Sequence, residues 1–184
     1  MKRNGSPSAN QKIAENGGAF LDAQPLFFPV SVFKFLVMST FTLGFYDIYW
    51  FYQNWKMYKA RTQKDVSPIW RAIFGFFFCP ALFERIREEA EPRGVATAVP
   101  SIILWGIWLV LRLIGKTPEP FCFLEILAPL IFVPIQLSVN KLNRIVAPKH
   151  DPNSQFDGLS FIVLLFGCLL CLFLVLRLYA PIEQ

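Results

Sequence analysis

Four polar residues recur at intervals of seven along an otherwise apolar and aromatic stretch: Thr40, Asp47, Asn54 and Arg61. An α-helix drifts by only about 20° per seven residues, so on one helix these side chains would form a single polar seam. The seam could line a water-filled groove in which Asp47 binds a cation or relays a proton. Alternatively it serves helix packing, with Asp47 paired to a nearby Lys or Arg, and we favour this second interpretation.

Glu125 and Gln136 are two further polar residues in apolar surroundings. A charged side chain at the centre of a membrane helix costs about 2.5–3.5 kcal/mol on insertion scales, so each one needs a reason. Glu125 lies near the predicted start of its helix, where the helix dipole favours a carboxylate. Gln136, Asn140 and Asn143 are spaced i, i+4 and i+7, which predicts one polar face. That face marks either the point where the helix leaves the membrane or a site for a lipid headgroup or a partner.

Motifs for metals, cofactors and catalysis are weak in this sequence. Cys168 and Cys171 form C-x-x-C inside an unbroken apolar run, which favours their reading as small apolar residues. The loop DPNSQFDG resembles the start of a calcium loop, but Phe156 stands where Gly is required and Ile162 where Glu belongs. We interpret it as a loop in which Asp157 caps the last helix. No cofactor, metal site or catalytic residue is predicted, and the chain is not expected to be an enzyme.

The composition indicates a membrane protein. Hydrophobic residues make up 54% of the 184, 20 of them Phe, and the mean hydropathy is +0.43. A soluble domain of this size could not bury so much apolar surface, whereas lipid can cover it. The lipid bilayer is therefore the expected partner, with a membrane protein or a second copy of the chain as further candidates. The net charge of +5 indicates anionic headgroups and loop topology, and no nucleic acid is expected.

The expected fold class is all-α: a polytopic membrane bundle of four to five hydrophobic helices. A disordered polar tail is predicted over residues 1–24, followed by a single transmembrane helical domain over 25–180. The last hydrophobic segment is the clearest, because Gly158 to Leu176 carries no charge and about 20 apolar residues cross a bilayer. The predicted segments are about 33–55, 69–86, 95–114, 121–142 and 158–179.

The Lys and Arg residues of the tail and loops indicate how many segments cross, because they concentrate on the cytoplasmic side. If all five segments cross, 8 of these residues lie on one side of the membrane and 9 on the other. If the second segment dips in and returns, the division becomes 11 to 6, and if the first two both return it becomes 14 to 3. The distribution favours at least one segment that does not cross. We favour a re-entrant second segment and place the loop 56–71 in the cytoplasm.

The decapeptide YDIYWFYQNW at residues 46–55 ends the first segment. Trp and Tyr concentrate at the headgroup level of membranes, where the ring is buried and its polar tip is wet. Lys and Arg residues follow at once, as expected at the cytoplasmic face. The stretch therefore predicts an interfacial aromatic belt made of Tyr46, Tyr49, Trp50, Tyr52 and Trp55.

The same stretch carries T-x-G-x-Y-x-x-Y-W-F-Y-x-x-W, starting at Thr42. With SPIWRAIFGFFFCPALFERI and NKLNRIVAPKHDPNSQF, it resembles a bacterial domain-of-unknown-function family over residues 27–91 and, more loosely, 136–166. The resemblance implies a small multi-pass protein of a bacterial inner membrane, without an assigned activity or catalytic residues.

Three functional classes follow from these observations. We favour a non-catalytic membrane protein that scaffolds or modulates a membrane partner or the envelope. The alternative is a small transporter or channel subunit that uses the polar seam and a helix kinked at Pro129 and Pro134. A membrane-embedded enzyme would rest on Asp47 and Glu125 alone.

Overall fold

The structure, a computed structural model, describes residues 24–96, 100–115 and 121–179. This part of the chain is helical and contains no β-strand, which confirms the all-α prediction. The predicted disordered tail lies outside it except for Gln24. The α-helices are α1 (Val32–Phe41), α2 (Phe45–Thr62), α3 (Pro68–Ile73), α4 (Gly75–Ala90), α5 (Ser101–Ile114), α6 (Val133–Val146) and α7 (Gly158–Tyr179), with a 3-10 helix over Phe121–Phe132.

The first hydrophobic segment is a helical hairpin, which corrects the prediction of one helix over 33–55. Thr42 ends α1, and Leu43 and Gly44 follow with φ of 52° and 86°. The N–H of Gly44 bonds to the carbonyl of Ser39 at 2.9 Å, the pattern of a Schellman helix end. The Thr42 hydroxyl donates to the Met38 carbonyl and accepts the N–H of Tyr46. One residue therefore ends α1 and caps α2.

The two arms of this first hairpin run antiparallel. The Phe35 ring of α1 lies 5.8 Å from the ring of Trp50 on α2. Before α1, the extended residues 26–30 continue along α2, and the Phe27 ring lies 5.6 Å from the guanidinium of Arg61. The chain therefore leaves the first hairpin at the end of the molecule where it entered.

The second hydrophobic segment also turns back, through Phe74 between α3 and α4. The Arg71 guanidinium lies 4.3 Å from the Trp55 ring, and Gly75, further along the chain, packs against the earlier Phe51, so α3 runs antiparallel to α2. At the far end of α4, Glu89 forms an ion pair with Arg61 at 2.5 Å. The predicted 69–86 helix is thus two helices, and its ends lie at the same end of the molecule as those of the first hairpin. We call this end the charged end, and define it by Phe27, Arg61, Glu89 and Asn143.

The later segments pack alongside the two hairpins. Ser101, at the start of α5, lies 3.4 Å from Glu84, and α5 leads from there to Arg112 beside Gly44. The 3-10 helix and α6 return to the charged end, so the predicted helix over 121–142 is divided at Phe132. Prolines account for this division, because Pro129 cannot donate an α-helical hydrogen bond and Pro134 suits the first turn of α6.

The core is aromatic and centres on Phe132. This buried ring lies between 5.6 and 5.9 Å from five other rings, which belong to α1, α2, α4 and α5: Phe35, Trp50, Phe51, Phe83 and Trp108. Edge-to-face contacts of this kind stabilise beyond the apolar area that they bury. The end of the 3-10 helix thereby fixes both hairpins to α5.

The last helix, α7, contacts the rest of the molecule along one narrow strip. Gly167 lies so close to the Phe41 carbonyl that a Cβ there would overlap it. Most other described apolar side chains of α7 are exposed. By length and apolar composition, Ile126–Val146 is the one stretch of the described chain that meets the requirement for crossing a membrane, and half of it is buried inside the protein.

Replacing Gly44 by Ala should destabilise the protein, because an L-residue at this φ costs about 1–2 kcal/mol and its Cβ would displace the Arg112 guanidinium. Gly106→Ala is the matched control, since Gly106 lies within α5 and a Cβ there meets no atom within 4 Å. We expect a lower melting temperature for Gly44→Ala and an unchanged or higher one for the control. Equal shifts in a detergent thermal melt would contradict this account of the turn.

Candidate functional site

The predicted polar seam is divided between two helices. Asp47, Asn54 and Arg61 lie on α2, but Thr40 lies on α1 beyond the turn. The prediction of a single stripe of four residues is therefore wrong, because the turn after Thr42 separates Thr40 from the helix that carries the other three. The three residues on α2 each have different partners, and Asp47 lines a cavity together with Arg112.

Asp47 and Arg112 form an ion pair inside the apolar part of the molecule. Their Oδ2 and Nη2 atoms are 2.7 Å apart, and Asp47 is buried. The guanidinium passes over Gly44, where only a residue without a side chain leaves room, and lies 5.7 Å from the Trp108 ring. The close approach of α5 to the hairpin turn thus depends on glycine at this position.

A cavity of about 260 Å³ adjoins this ion pair, between the turn of the first hairpin and that of the second. Its other walls are mainly apolar and include Phe51, Ile73 and Phe76. The second carboxylate oxygen of Asp47 has no well-aligned hydrogen bond, although the buried Ser39 hydroxyl faces this carboxylate. The pair can therefore hold a compensated charge at depth, and a solute path past Asp47 stays a prediction.

Arg112 is the partner that sequence reasoning missed. Its guanidinium, near the end of the third segment, turns inward to Asp47. The available signal was the combination of one carboxylate and one guanidinium, each isolated within an apolar segment. Such charges are costly unless paired.

Asn54 does not face a groove but holds the extended residues 26–30. Its side-chain oxygen accepts the N–H of Phe28 at 3.1 Å, and its amide donates to the Trp50 carbonyl of its own helix. Phe28 lies in a segment without helical or strand hydrogen bonds. Asn54 therefore replaces the backbone partner that this buried segment lacks.

The polar face of α6 holds the same segment from the other side. Asn143 accepts the N–H groups of Leu26 and Phe27 and donates to the Phe27 carbonyl at 2.8 Å. Gln136 and Asn140 each donate to the Val30 carbonyl at 3.0 Å. The chain's own backbone therefore occupies this face, which is not an open headgroup site, and the exit of α6 from the membrane at this point stays a prediction. We call Asn54, Gln136, Asn140 and Asn143 the amide clamp.

The predicted aromatic belt is largely part of the protein core. Trp50 and Trp55 are fully buried and Tyr46 is nearly so, because α1, α4 and α6 pack around this part of α2. The Trp50 indole N–H donates to the Gln136 side-chain oxygen at 2.7 Å. Of the five residues, Tyr49 remains exposed and Tyr52 is half-buried. Facing protein rather than headgroups, most of these rings serve packing.

Arg61 joins the two hairpins at the charged end. It forms the ion pair with Glu89, and its guanidinium lies over the rings of Phe27 and Tyr58. Glu89 also bonds to Arg93 at 2.9 Å. These contacts hold the ends of both hairpins together.

Lys34 is a second residue that the sequence did not single out. It is 4% exposed, and its ammonium donates to the Asn153 side-chain oxygen at 2.8 Å and to the Gln155 carbonyl at 2.7 Å. In the same loop Asp157 accepts the N–H of Ser160, which confirms the predicted cap of α7. Hydrogen bonds from Ser160 hold the pKa of Asp157 below its usual range. The loop thereby ties α7 to α1.

The remaining predicted features give no further site. The Glu125 side chain lies outside the described part of the structure, so its proximity to Asp47 is untested. Within the described residues, no cluster of three or more His, Cys, Asp or Glu could hold a metal ion, and Cys168 and Cys171 are unpaired thiols.

Comparison with known proteins returned no matching protein family, curated protein or solved structure. The resemblance carried by the Thr42–Trp55 motif stays a prediction.

Removing one charge of the ion pair should destabilise the protein more than removing both. Arg112→Met leaves a buried carboxylate unpaired, for which we expect a loss on the order of 3–5 kcal/mol. The double variant Asp47→Leu/Arg112→Met should recover much of that loss. Arg144→Met, at an exposed position of α6, is the control. Thermal unfolding in detergent gives the comparison, and additive losses from the two single substitutions would show that the pair is not coupled.

Replacing Asn143 by Leu should release residues 26–28, because it removes the partners of two N–H groups and one carbonyl. Each buried polar group left without a partner costs about 1–3 kcal/mol. Hydrogen exchange measured by mass spectrometry should be faster in a peptide covering 26–31 and unchanged in α7. Gln53→Leu, which alters a contact with exposed Tyr49, is the control. Unchanged exchange at 26–28 would show that Asn143 does not hold this segment in place.

Proposed function

We propose that the chain is a non-catalytic multi-pass integral membrane protein in which the first two hydrophobic segments are re-entrant hairpins. The last three segments, α5, the 3-10 helix with α6, and α7, cross the bilayer. The observation that carries this proposal is the meeting of both hairpins' ends at the charged end, through Arg61, Phe27 and Glu89. A segment that crossed would separate its two ends by the thickness of the membrane.

The lengths of the apolar stretches support the same arrangement. Gly158 to Leu176 has 19 uncharged residues, which span roughly 28 Å as a helix, close to the ~30 Å of the hydrocarbon core. From Phe74 to Glu84 the second hairpin offers about 15 Å, and from Gly44 to Lys56 the first offers about 18 Å. Each hairpin therefore reaches about the middle of the bilayer. The Asp47–Arg112 pair lies at that depth and compensates its own charge.

The distribution of positive charge also supports two re-entrant hairpins. With both segments returning, the tail and loops divide their Lys and Arg residues 14 to 3. This is the strongest asymmetry among the arrangements considered. Because the positively charged side of a membrane protein faces the cytoplasm, the charged end and the loop 56–71 belong there. For a bacterial protein, as the motif suggests, the membrane is the inner one.

The use of the interior polar groups supports a scaffolding role. The amides of Asn54, Gln136 and Asn143 bind the chain's own backbone, and Asp47 binds Arg112. These groups maintain the fold rather than present themselves to a substrate. We infer that the protein organises the membrane or a membrane partner. On this proposal these interior polar groups serve the fold, not transport or catalysis.

Cysteine labelling tests the topology. In a background without native cysteines, single Cys residues at positions 24, 63, 88 and 151 should react with a membrane-impermeant maleimide from the same side. A Cys at position 119, in the polar stretch GKTPEP between the third and fourth segments, should react from the opposite side only. Labelling before and after permeabilisation supplies the control for accessibility.

Three results would contradict the proposal in different ways. Opposite sides for positions 24 and 63 would show that the first segment crosses, and opposite sides for 63 and 88 that the second does. Release of the protein from membranes by alkaline carbonate would overturn integral insertion itself.

A further inference from the structure

The two hairpins expose large apolar side chains around their turns. These residues lie on both arms of each hairpin and are between 47% and 70% exposed: Phe33, Phe45, Ile69, Trp70, Phe74 and Phe77. The Phe156 ring touches the edge of Phe33, and Phe33 is nevertheless 70% exposed. In the proposed orientation the exposed side chains of the hairpins lie between the headgroups and the middle of the bilayer, where acyl chains of a single leaflet would surround them.

The protein is consequently wider in one leaflet than in the other. On the side of the charged end, the bilayer contains α1, α3 and the apolar parts of α2 and α4, in addition to the crossing segments. Beyond the turns at Gly44 and Phe74, the 3-10 helix and α7 continue, whereas α5 ends at Ile114, two residues after Arg112. The ion pair, the Phe132 core and the contact of α7 at Gly167 fasten the hairpins to those segments. The asymmetry is therefore built into a single packed unit.

We propose that the hairpins act as a wedge in one leaflet, so that the protein prefers and promotes membranes that are convex on the side of the charged end. This inference rests on the proposed function, because it needs both hairpins to enter from the same side. Its partner is a lipid leaflet with loosened packing, such as the outer leaflet of a narrow tube. Insertion of apolar residues into one leaflet depends on curvature, because convex bending opens gaps between headgroups.

The full chain is reconstituted in giant vesicles for the test. The two orientations of the protein should respond to curvature in opposite directions, so each serves as a control for the other. Protein inserts in both orientations, and an impermeant dye added outside selects one of them. A dye on Gln63→Cys reports molecules with hairpin ends outward, and a dye on Glu119→Cys reports the opposite orientation. When narrow tubes are pulled outward, the tube-to-vesicle ratio of protein density should exceed one for the first population and fall below one for the second.

Two double variants separate the wedge from general effects of apolar surface. Phe45→Ala/Phe77→Ala removes one exposed ring from each hairpin, and its ratios should move toward one. Phe166→Ala/Phe173→Ala removes two similarly exposed rings from the crossing helix α7 and should leave both ratios as in the parent protein. Thermal melts and the labelling pattern verify that each variant has retained its fold.

The outcomes distinguish the wedge from the topology on which it rests. Ratios of one for both orientations, with positions 24, 63 and 88 labelled from the same side, would overturn the wedge and leave the proposed function intact. Equal enrichment of both orientations would also overturn it, because leaflet asymmetry must change sign with orientation. Opposite labelling of 24 and 63, or of 63 and 88, would overturn the proposed function and the wedge together.

Discussion

Buried backbone that belongs to no helix or strand must find hydrogen bonds elsewhere, and in this protein that requirement is met by four side-chain amides. Residues 26–30 lie extended between α2 and α6, with Phe27 and Val30 completely buried. An unpaired peptide group at this depth would cost as much as several good packing contacts provide. The amide clamp satisfies it from two helices that are distant in sequence. Asn54 and Asn143 thus fix both the entry of the chain and the relative position of α2 and α6.

The second polar connection has a different character, because it joins charges rather than amides. Asp47 and Arg112 compensate each other next to the Gly44 turn, and each would be costly alone in an apolar environment. The pair also orients α5 relative to the first hairpin, because the guanidinium can reach the carboxylate only where glycine leaves room. Helix packing at this position is therefore specified by a polar contact inside an aromatic core.

The sequence predicted the elements better than their connections. Helical segments, the capping by Asp157 and a pairing of Asp47 with some basic residue followed from composition and spacing, because these depend on neighbours in the chain or on the cost of isolated charge. The burial of that pair and the identity of Arg112 did not. The hairpin turn at Thr42 and Gly44 was not predicted, although both residues stand in the aromatic motif. A heptad pattern continues across a turn as readily as along a helix, so periodicity alone could not reveal it.

Side-chain partners that are distant in sequence were the least predictable part. Trp50 and Trp55 have the composition of an interfacial belt, and only the packing of α1, α4 and α6 around them makes them core residues. The amides of α6 likewise looked like a helix leaving the membrane. Their partners are backbone groups more than one hundred residues earlier, and backbone groups carry no sequence signal of their own.

That separation has a consequence for how the protein is made. Synthesis proceeds from the N-terminus, so the first hairpin leaves the ribosome long before Gln136 and Asn143 exist to bind the extended residues 26–30. Until α6 arrives, the backbone groups of Leu26, Phe27 and Val30 must be hydrated or bound by another protein. Residues 26–30 are therefore fixed in place only after a helix synthesised more than one hundred residues later has arrived.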